Sequence, residues 1–518
     1  MRKLLNFLTS RFFILTLVLV FELAIIVGLS VWVALYSPIY GYHFLIGAWI
    51  LNLPTLVFVI NSKANTSYKL GWMLIVAIVP ICGILLYVLF ANKRDTKRQR
   101  EKLRPYTEAL RKYNKPRHLL DEIKSKDEVA YLHMNYIYNK SISMPHEKTY
   151  TNYFKIGQDA WPVILEELKK AKRFIFIEFF IIEEGEFWNS ILEILKEKAK
   201  AGVEIRVLYD DFGSMTKVSY NYYKKLREYG INAVLFQRYK WILDTKMNNR
   251  DHRKIIVIDG HTSFTGGMNL ADEYVNTVKR FGEWKDNMIM MKGDGTYGMT
   301  VLFLSMWDNY LKIKTHYKEY SFRTWGFECD MPEEEPRGYV QPYGDLPFDY
   351  ESVGANVYIN MILRAKKSVF ISTPYLILDE RFLSALTTAA RSGVDVKIII
   401  PGIPDKKTVY QLSNAYAYGL SKGGVKIYYY KPGFNHMKTV LVDDTYASVG
   451  TINLDLRSFY LNYENAVFLF DSNCVKDIRE DFDEMLEKSI ALEDHCKKKV
   501  SIWKKMWWAI LKCFSPMF

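Results

Sequence analysis

Apolar side chains dominate the first ninety residues. Three long apolar stretches cover residues 12–36, 39–60 and 70–90, and each is close to the ~20 residues that an α-helix needs to cross a bilayer. No small-residue cleavage site follows the first stretch, which is typical of a retained anchor and not of a removable signal peptide. We therefore predict a membrane anchor with two or three apolar spans over residues 1–92.

A basic segment follows the third apolar stretch. Lysines and arginines crowd residues 93–104, and the positive-inside rule puts such a cluster on the cytoplasmic side. We expect residues 93–149 to form a basic juxtamembrane linker attracted to anionic lipid headgroups. The N-terminus is also basic, and three complete crossings do not suit both ends. The third stretch, broken by Pro80, is therefore a candidate re-entrant or interfacial segment, and we expect the region after it to face the cytoplasm.

From residue 150 onward, short apolar runs alternate with amphipathic segments. Helical spacing over 158–172 precedes a strand at 174–181, and a helix at 186–201 leads to a strand at 203–209. This βαβ order is typical of a parallel or mixed sheet covered by helices.

The same order recurs in the second half of the chain. A strand at 368–372, a helix at 380–392 and a strand at 394–400 repeat the earlier pattern, and Gly424 precedes the next strand as Gly230 does in the first half. We predict an α/β fold with two duplicated domains in a pseudo-twofold arrangement. The predicted segments are a first domain at 150–330, a turn-rich linker at 331–350, a second domain at 351–495 and an amphipathic, basic C-terminal segment at 496–518.

Charge and cysteine content narrow the possible partners. The formal net charge of +13 over 518 residues indicates an anionic partner, either nucleic acid or an anionic membrane. The five cysteines are odd in number and scattered, which excludes a disulfide framework, and no pair has the spacing of metal ligands. We therefore predict neither disulfides nor a zinc site.

One short motif occurs twice with matched offsets. In the first copy, His252 is followed by Lys254, Asp259, Gly266 and Asn269. The lysine lies 2, the aspartate 7, the glycine 14 and the asparagine 17 residues after the histidine.

The second copy keeps all four offsets. His436 is followed by Lys438, Asp443, Gly450 and Asn453. Because one such pattern arises by chance far more easily than two, the repetition indicates internal duplication and favours a catalytic role for both histidines.

The spacing suits a phosphate group. Apolar residues follow each lysine, so each motif predicts a buried strand that ends in a turn at Asp259 or Asp443. Histidine and lysine two positions apart share a face of such a strand. A lysine and an asparagine can bind phosphate oxygens, while an imidazole acts as a nucleophile or carries a proton. A pseudo-twofold axis would bring both motifs to one cleft.

The doubled motif resembles that of the phospholipase D superfamily, and its surroundings are similar to bacterial cardiolipin synthases. The resemblance extends through the glycine-rich segments 266–274 and 450–464, through Thr373-Pro374-Tyr375, and through the N-terminal anchor at Gly71-Trp72. It covers residues 40–518 and implies a protein of the bacterial cell membrane with several spans.

The resemblance implies a reaction and a set of roles. Two phosphatidylglycerol molecules would give cardiolipin and glycerol through a phosphohistidine, with His252 as nucleophile and His436 as acid and base; the sequence itself does not distinguish the two histidines. Lys254, Lys438 and the substrate-binding Asn269 and Asn453 would stabilise charge on the phosphoryl oxygens. No metal or other cofactor is implied.

Carboxylates complete the set of candidate residues. A nucleophilic histidine needs its second nitrogen held, and Glu464 and Asp286 are the candidates for that orienting role. Asp259 and Asp443 belong to the catalytic motif, and we expect them to fix the turn and strand geometry more than to touch the substrate.

Two alternative functions stay open at this point. A phospholipase D-type hydrolase or a nuclease would use the same residues, although the membrane anchor argues against nucleic acid as a partner. A non-catalytic membrane scaffold would not need both motifs. The expected partners are phosphatidylglycerol, cardiolipin and an anionic membrane, and nothing in the sequence predicts the oligomeric state.

Overall fold

The computed structural model describes residues 38–62, 66–78, 118–141, 143–238, 249–326, 330–347, 351–495 and 500–515, with a few isolated positions between 24 and 88. Most of the first apolar stretch and the basic residues 93–117, about which predictions were made above, lie outside the described residues.

The described residues form sixteen α-helices, numbered in chain order. They are α1 (Pro38–Asn61), α2 (Thr66–Ile78), α3 (His118–Lys126), α4 (Glu128–Ser141), α5 (Gly157–Lys170), α6 (Glu186–Lys200), α7 (Asp211–Ser214), α8 (Tyr222–Glu228), α9 (Thr296–Leu311), α10 (Val353–Arg364), α11 (Glu380–Arg391), α12 (Lys407–Lys422), α13 (Leu456–Tyr460), α14 (Val475–Glu487), α15 (Leu492–His495) and α16 (Ile502–Cys513). Short 3-10 turns occupy Asp272–Val275, Tyr317–Tyr320 and Phe322–Trp325.

The strands are named in the same way. They are β1 (Thr149–Phe154), β2 (Phe174–Phe179), β3 (Glu204–Asp210), β4 (Asn232–Phe236), β5 (Lys254–Ile258), β6 (Thr262–Gly266), β7 (Glu283–Lys285), β8 (Met288–Gly293), β9 (Tyr339–Asp345), β10 (Ser368–Ser372), β11 (Asp395–Pro401), β12 (Lys426–Tyr430), β13 (Gly433–Asn435), β14 (Thr439–Val442), β15 (Tyr446–Gly450), β16 (Glu464–Phe470) and β17 (Ser489–Ala491).

The two N-terminal helices pack on each other. The Asn52 amide donates to the Val76 carbonyl oxygen at 3.1 Å, and the Lys69 ammonium donates to the Ile60 carbonyl oxygen at 2.8 Å. Val59, Trp72 and Val76 form a small buried cluster between α1 and α2. Among the residues that the structure describes, no helix is both long and apolar enough to cross a bilayer.

Two large mixed sheets repeat one strand order. The first sheet runs β1-β8-β6-β5-β2-β3-β4, and the second, taken from its β9 edge, runs β9-β16-β15-β14-β10-β11-β12-β17. In both sheets the motif strand, β5 or β14, pairs antiparallel with the first strand of a parallel βαβ unit. The predicted duplication of an α/β domain is therefore confirmed, with β17 as an addition to the second copy.

One hydrophobic core joins the halves. Alternate residues of β2 point to opposite faces, as a pleated strand requires: Ile175 and Ile177 pack with the helices outside the first sheet. Phe174 and Phe176 instead join a core that also contains Phe370 and Leu441 of the second sheet. The inner faces of the two sheets thus pack together around α9 and α14, with the other helices outside.

Backbone hydrogen bonds also cross between the halves. Strand β7 of the first half pairs in parallel with β13 of the second, with Lys285 opposite Asn435. An isolated parallel bridge joins Asp251 to Tyr463. Each of these pairings lies directly before a motif histidine, so each histidine is positioned by backbone from the other half.

Two segments predicted as linkers contain regular structure. Residues 339–345, inside the predicted linker at 331–350, form edge strand β9, which pairs with β16. An edge strand tolerates Pro342 because one side of its backbone needs no donor, and this is why a proline-rich sequence was wrongly read as a turn. Helices α3 and α4, inside the predicted linker at 93–149, contribute Ile123 and Met134 to the core of the second half.

Candidate active site

His252 lies between the halves just before β5. Its backbone N–H donates to the Tyr463 carbonyl oxygen at 2.9 Å, which fixes the chain that carries the ring. Its Nδ1 lies 2.8 and 3.0 Å from the two carboxylate oxygens of Glu464. Glu464 is the first residue of β16, so the carboxylate on this histidine comes from the second half.

His436 repeats this arrangement with the halves exchanged. Its backbone N–H donates to the Lys285 carbonyl oxygen at 2.7 Å, and its Nδ1 lies 2.6 Å from Asp286 Oδ2. Asp286 directly follows β7 of the first half. The structure thus brings together both predicted carboxylates and both histidines, but each carboxylate serves the histidine of the opposite half, a crossing that the sequence did not predict.

The Glu464 carboxylate has additional donors. The Thr451 hydroxyl donates to Glu464 Oε2 at 2.5 Å, and the Asn462 amide donates to Oε1 at 3.1 Å. These two residues were not among the candidates. The repeat carried a signal for Thr451 alone, because Thr451 lies at the offset that Gly267 occupies in the first copy.

Gly267 leaves Asp286 without such a donor. A Cβ atom at Gly267 would lie 2.0 Å from Asp286 Oδ1, so a side chain there would displace the Asp286 carboxylate. Asp286 instead accepts the backbone N–H of Asn287 at 2.9 Å.

The two motif lysines are buried beside their histidines. Lys254 Nζ donates to the His252 carbonyl oxygen at 2.7 Å. Lys438 Nζ donates to the His436 carbonyl oxygen and also lies 2.8 Å from His436 Nδ1. Only 9% of His252 and 7% of His436 is exposed, so just an edge of each ring reaches solvent. A ligand that meets both rings is therefore largely removed from water.

Burial disfavours the protonated, positively charged form of both histidines. Burial lowers the pKa of His252 to about 4, with Glu464 opposing the shift. Burial, followed by the Lys438 charge, lowers the pKa of His436 well below its usual value. Both imidazoles are therefore neutral near pH 7, the form in which a ring nitrogen carries a free lone pair.

The lysines and Asp286 titrate near neutral pH. Burial lowers the pKa of Lys254 to about 8 and that of Lys438 to about 7. Burial also raises the pKa of Asp286 to about 7, although Lys438 opposes it. The charge of Lys254 depresses the pKa of His436, and the charge of Lys438 depresses that of His252. The two lysines and the two histidines therefore interact electrostatically across the boundary between the halves.

The two asparagines have different surroundings. The Asn269 carbonyl accepts the Ile181 backbone N–H at 3.1 Å, and its amide donates to the Tyr274 hydroxyl at 2.7 Å. In Asn453 the side-chain carbonyl oxygen is buried without a hydrogen-bond partner among the described residues, while its amide interacts with Asp455. Both side chains are almost completely buried.

Asp259 and Asp443 lie at the far ends of the motif strands, away from the histidines. The Asp259 carboxylate accepts three backbone N–H groups, those of residues 172, 173 and 174, at 2.7–2.8 Å. Asp443 does the same with residues 366, 367 and 368 at 2.7–2.9 Å. Each aspartate has a positive φ, 50° and 53°. Their carboxylates tie a turn to the first strand of each sheet, so their inclusion in the catalytic motif reflects architecture and not substrate contact.

The arrangement suits transfer of a group at phosphorus. In each ring a carboxylate on Nδ1 leaves Nε2 for the substrate and favours the tautomer with its lone pair there. The two buried lysine ammonium groups, one beside each ring, are suited to stabilise negative charge on phosphoryl oxygens. An attacking nitrogen, a proton carrier and charge stabilisation are the parts that such a transfer needs.

Comparison with known protein families gives matches over most of the chain. Residues 164–293 and 358–486 match the model described as "Cardiolipin synthase, PLD-like domain", so the match itself is duplicated. Residues 50–92 match the model described as "Phospholipase D-nuclease N-terminal".

Individual proteins match over similar lengths. Cardiolipin synthase 2 of Bacillus anthracis is 34% identical, over 83% of this chain and 82% of its own. Cardiolipin synthase 1 of Bacillus cereus is 33% identical, over 92% of this chain and 94% of its own. An uncharacterized protein of Streptococcus mutans serotype c is 38% identical over 89% and 99% of the two chains.

A solved structure shares the fold. The phosphatidylserine synthase of Haemophilus influenzae superposes with a TM-score of 0.51 over 71% of this chain and 95% of its own, at 15% identity. At that identity the likeness concerns the fold alone.

Proposed function

The chain belongs to the cardiolipin synthase family with phospholipase D-like domains and is a phosphatidyltransferase, and from this premise we propose its substrates and its mechanism. One phosphatidylglycerol molecule donates its phosphatidyl group and a second accepts it, giving cardiolipin and glycerol. The observation that carries the proposal is the pair of crossed contacts, His252 with Glu464 and His436 with Asp286.

The first step forms a covalent intermediate. The lone pair of His252 Nε2 attacks phosphorus, and the P–O bond to glycerol breaks. His436, protonated once the anionic phosphate is bound beside it, gives its proton to the departing glycerol oxygen. Glu464 accepts the His252 Nδ1–H and stabilises the positive charge that the ring gains.

The second step regenerates the enzyme. The free hydroxyl of the acceptor phosphatidylglycerol loses its proton to His436 and attacks phosphorus, and the P–N bond to His252 breaks. Lys254 and Lys438 stabilise the negative charge that the phosphoryl oxygens carry in both transition states. We assign Asn269 and Asn453 to the binding of these oxygens through their amide groups, which in the free protein contact Tyr274 and Asp455, because only the amide N–H groups can donate to a phosphate.

The decisive experiment uses one lipid. Purified full-length protein in vesicles that contain phosphatidylglycerol as the only anionic lipid should form cardiolipin and glycerol in equal amounts. The variants His252→Ala and His436→Ala serve as controls and should form neither. Phosphatidic acid without cardiolipin would instead identify a hydrolase, in which water and not a lipid hydroxyl reaches the intermediate.

A membrane location belongs to the same proposal. Helices α1 and α2 expose large apolar side chains, among them Leu51, Leu53 and Phe58, each more than 60% exposed. Exposed apolar surface of this extent marks a contact with another apolar phase. We assign that phase to the lipid of a bacterial cell membrane, with the catalytic halves on its cytoplasmic side.

The C-terminal helix α16 has a second apolar face. Trp508 and Leu511 are buried against the protein, and the Trp508 indole N–H donates to Gln411 of α12 at 3.2 Å. On the opposite side Trp503, Trp507 and Ile510 are 75%, 50% and 50% exposed. Helix α16 also touches α2, and we assign its uncovered face to the same membrane contact as the apolar surface of the N-terminal helices. Flanking lysines suit anionic headgroups.

This membrane contact is testable by depth measurement. A fluorophore on Trp503→Cys or Trp507→Cys should be quenched by lipids that carry a quencher in their acyl chains. The same label on Lys476→Cys of α14, also strongly exposed, serves as the control and should escape quenching. Equal quenching at all three positions, or no quenching at 503 and 507, would show that α16 does not contact the membrane.

A further inference from the structure

Three buried ionisable side chains surround the chain that carries His252. Glu178 ends the inner face of β2, and Asp251 and Arg253 flank the histidine. Glu178 and Asp251 are fully buried, and only 2% of Arg253 is exposed. By strand alternation all three belong to the inner face of the first sheet, together with Phe176 and Val257, where the two halves meet.

The two carboxyl groups lie within hydrogen-bonding reach of each other. A carboxylate only accepts hydrogen bonds, so this contact needs a proton on one of the two. No other described group donates to either Glu178 oxygen or to Asp251 Oδ2. The Arg253 guanidinium stays 3.9 Å from Glu178 Oε1 and donates instead to the Leu302 carbonyl oxygen at 3.2 Å. One shared proton makes the cluster of two carboxyls and one arginine neutral overall.

The equivalent positions of the second half hold neutral residues. Ser372, Asn435 and Met437 replace Glu178, Asp251 and Arg253. The Asn435 amide donates to the Ser372 hydroxyl at 2.9 Å and to the Ile399 carbonyl oxygen at 3.2 Å, so this polar pair is satisfied without a titrating proton. In both halves the residue before the histidine accepts the backbone N–H of the residue after it, at 3.3 Å for Asp251 and 3.2 Å for Asn435.

Other charged and titratable groups face the cluster. The Asp251 backbone N–H donates to Asp210 Oδ2 at 3.0 Å, and the Asp251 charge raises the pKa of Lys254. The charged and titratable neighbours on the surrounding elements are Asp210, Arg250, Lys254, Tyr463 and Glu464.

We propose that Glu178 and Asp251 share one proton and act as a positioning pair for His252, a device that the His436 side lacks. The shared proton holds the Asp251 carboxyl against β2, and through the Asp251–Arg253 turn it holds the backbone that aims the His252 ring. Loss of that proton leaves two adjacent carboxylates with a single arginine, and their repulsion loosens this turn.

The sign of the pH effect follows from the direction of the shifts. Burial raises the pKa of Asp251 to about 6 and that of Glu178 well above its usual value. A proton held more tightly in the folded than in the unfolded chain stabilises the fold at low pH, and this contribution is lost as pH rises through the folded pKa. The pair therefore favours a rigid His252 turn on the acid side and weakens it on the alkaline side.

Infrared difference spectroscopy of the full-length protein detects the proton without any turnover. Beside the bands of the Asp210 and Asp286 carboxyls, whose pKa values burial also raises, the wild type should show the C=O band of the carboxyl that holds the shared proton, and this band should disappear on alkaline titration. Glu178→Gln and Asp251→Asn should each remove that same band, because an amide then donates the hydrogen permanently. The variant Ser372→Ala, in the neutral counterpart, should leave the band in place.

Activity supplies the second readout, and this part rests on the proposed phosphatidyl transfer. Glu178→Gln should raise the ratio of the turnover rate at about pH 9 to that at about pH 7 severalfold relative to wild type. Glu178→Ala, which cannot donate, should lower the rate, and the Gln variant should restore it. Ser372→Ala should leave the ratio of the two rates unchanged.

Two results would overturn the proposal. One is an unchanged infrared band in both Glu178→Gln and Asp251→Asn, which would show that no proton is shared. The other is a uniform loss of rate in Glu178→Gln with the wild-type pH profile, which would assign Glu178 a purely structural role. Failure to form cardiolipin at all would contradict the proposed function but would leave the infrared result interpretable.

Discussion

At the His252 half-site the carboxylate on the imidazole is held by the Thr451 hydroxyl and the Asn462 amide. At the His436 half-site the corresponding carboxylate faces Gly267, and the Lys438 ammonium lies on the same ring nitrogen that the carboxylate contacts. Both half-sites carry the same duplicated motif, so these differences in the surroundings of the two histidines arose after the duplication. They favour His252 as the ring held in one tautomer for attack, and His436 as the ring whose proton is exchanged.

Substitution of the histidines should have the largest effect on turnover, and it tests the difference between the two half-sites most directly. With a donor lipid whose leaving group needs no protonation, His436→Ala should still accumulate a phosphatidyl adduct on His252, because attack is intact and the release step is not. His252→Ala should form no adduct, and both variants should lose at least about 10⁴-fold in turnover of phosphatidylglycerol. Mass spectrometry of the trapped protein locates the adduct. An adduct on His436 would exchange the two roles.

The crossed carboxylates should give the next largest effect. Glu464→Gln should lower kcat by about 10³-fold, because a neutral amide neither fixes the His252 tautomer nor stabilises the charged ring. Asp286→Asn should lower it less, by about 10²-fold, because a carboxyl with a pKa near 7 is only partly ionised at neutral pH. Steady-state kinetics with both variants measures the difference. Equal losses would show that the two half-sites are functionally alike.

The pH dependence of kcat/KM distinguishes the two motif lysines. A lysine charge is present below its pKa and lost above it, so kcat/KM should fall as pH rises through the values of about 7 for Lys438 and 8 for Lys254. Lys438→Ala should cost about 10²-fold, as for the loss of one charge-stabilising donor. It should also move the remaining alkaline fall to higher pH. A fall that stays at its wild-type pH in Lys438→Ala would assign it to another group.

Thr451 tests the support of one carboxylate directly. Thr451→Ala removes the 2.5 Å hydrogen bond to Glu464 and should lower kcat by at least about tenfold, which corresponds to the lower end of the ~1.5–3 kcal/mol of a hydrogen bond to a charged group. Thr451→Ser keeps the hydroxyl and should recover most of the rate. If the serine variant is as slow as the alanine variant, the methyl group and its packing matter more than the hydrogen bond.

The smallest catalytic effect should come from the two aspartates at the far ends of the motif strands. Asp259→Asn and Asp443→Asn each weaken three hydrogen bonds to backbone N–H groups, and each should lower the free energy of unfolding by about 1–3 kcal/mol. Turnover below the unfolding transition should change little. Thermal unfolding and kinetics on the same preparations separate the two effects. A large loss of kcat in a fully folded variant would show that these aspartates take part in catalysis.

Periodicity and repetition predicted much of this molecule. The strands and helices of both βαβ units and the doubled motif follow from local patterns, since each depends on residues near in sequence. The two orienting carboxylates were proposed from the family resemblance and from the need of a nucleophilic histidine for a carboxylate partner. The crossing of Glu464 to His252 and of Asp286 to His436 depends on how two finished domains dock, and no local spacing encodes that. Strand β9 was missed because its partner β16 lies more than a hundred residues away and Pro342 argued against a strand.

The hydrogen bonds exchanged between the halves also determine when activity arises during synthesis. The first half leaves the ribosome before the second. At that stage His252 has no Glu464 beside it, and Asp286 has no histidine to hold. Strand β7 likewise waits for β13. The nascent protein therefore emerges without a functional centre, and both imidazoles acquire their carboxylates together when the second half folds onto the first.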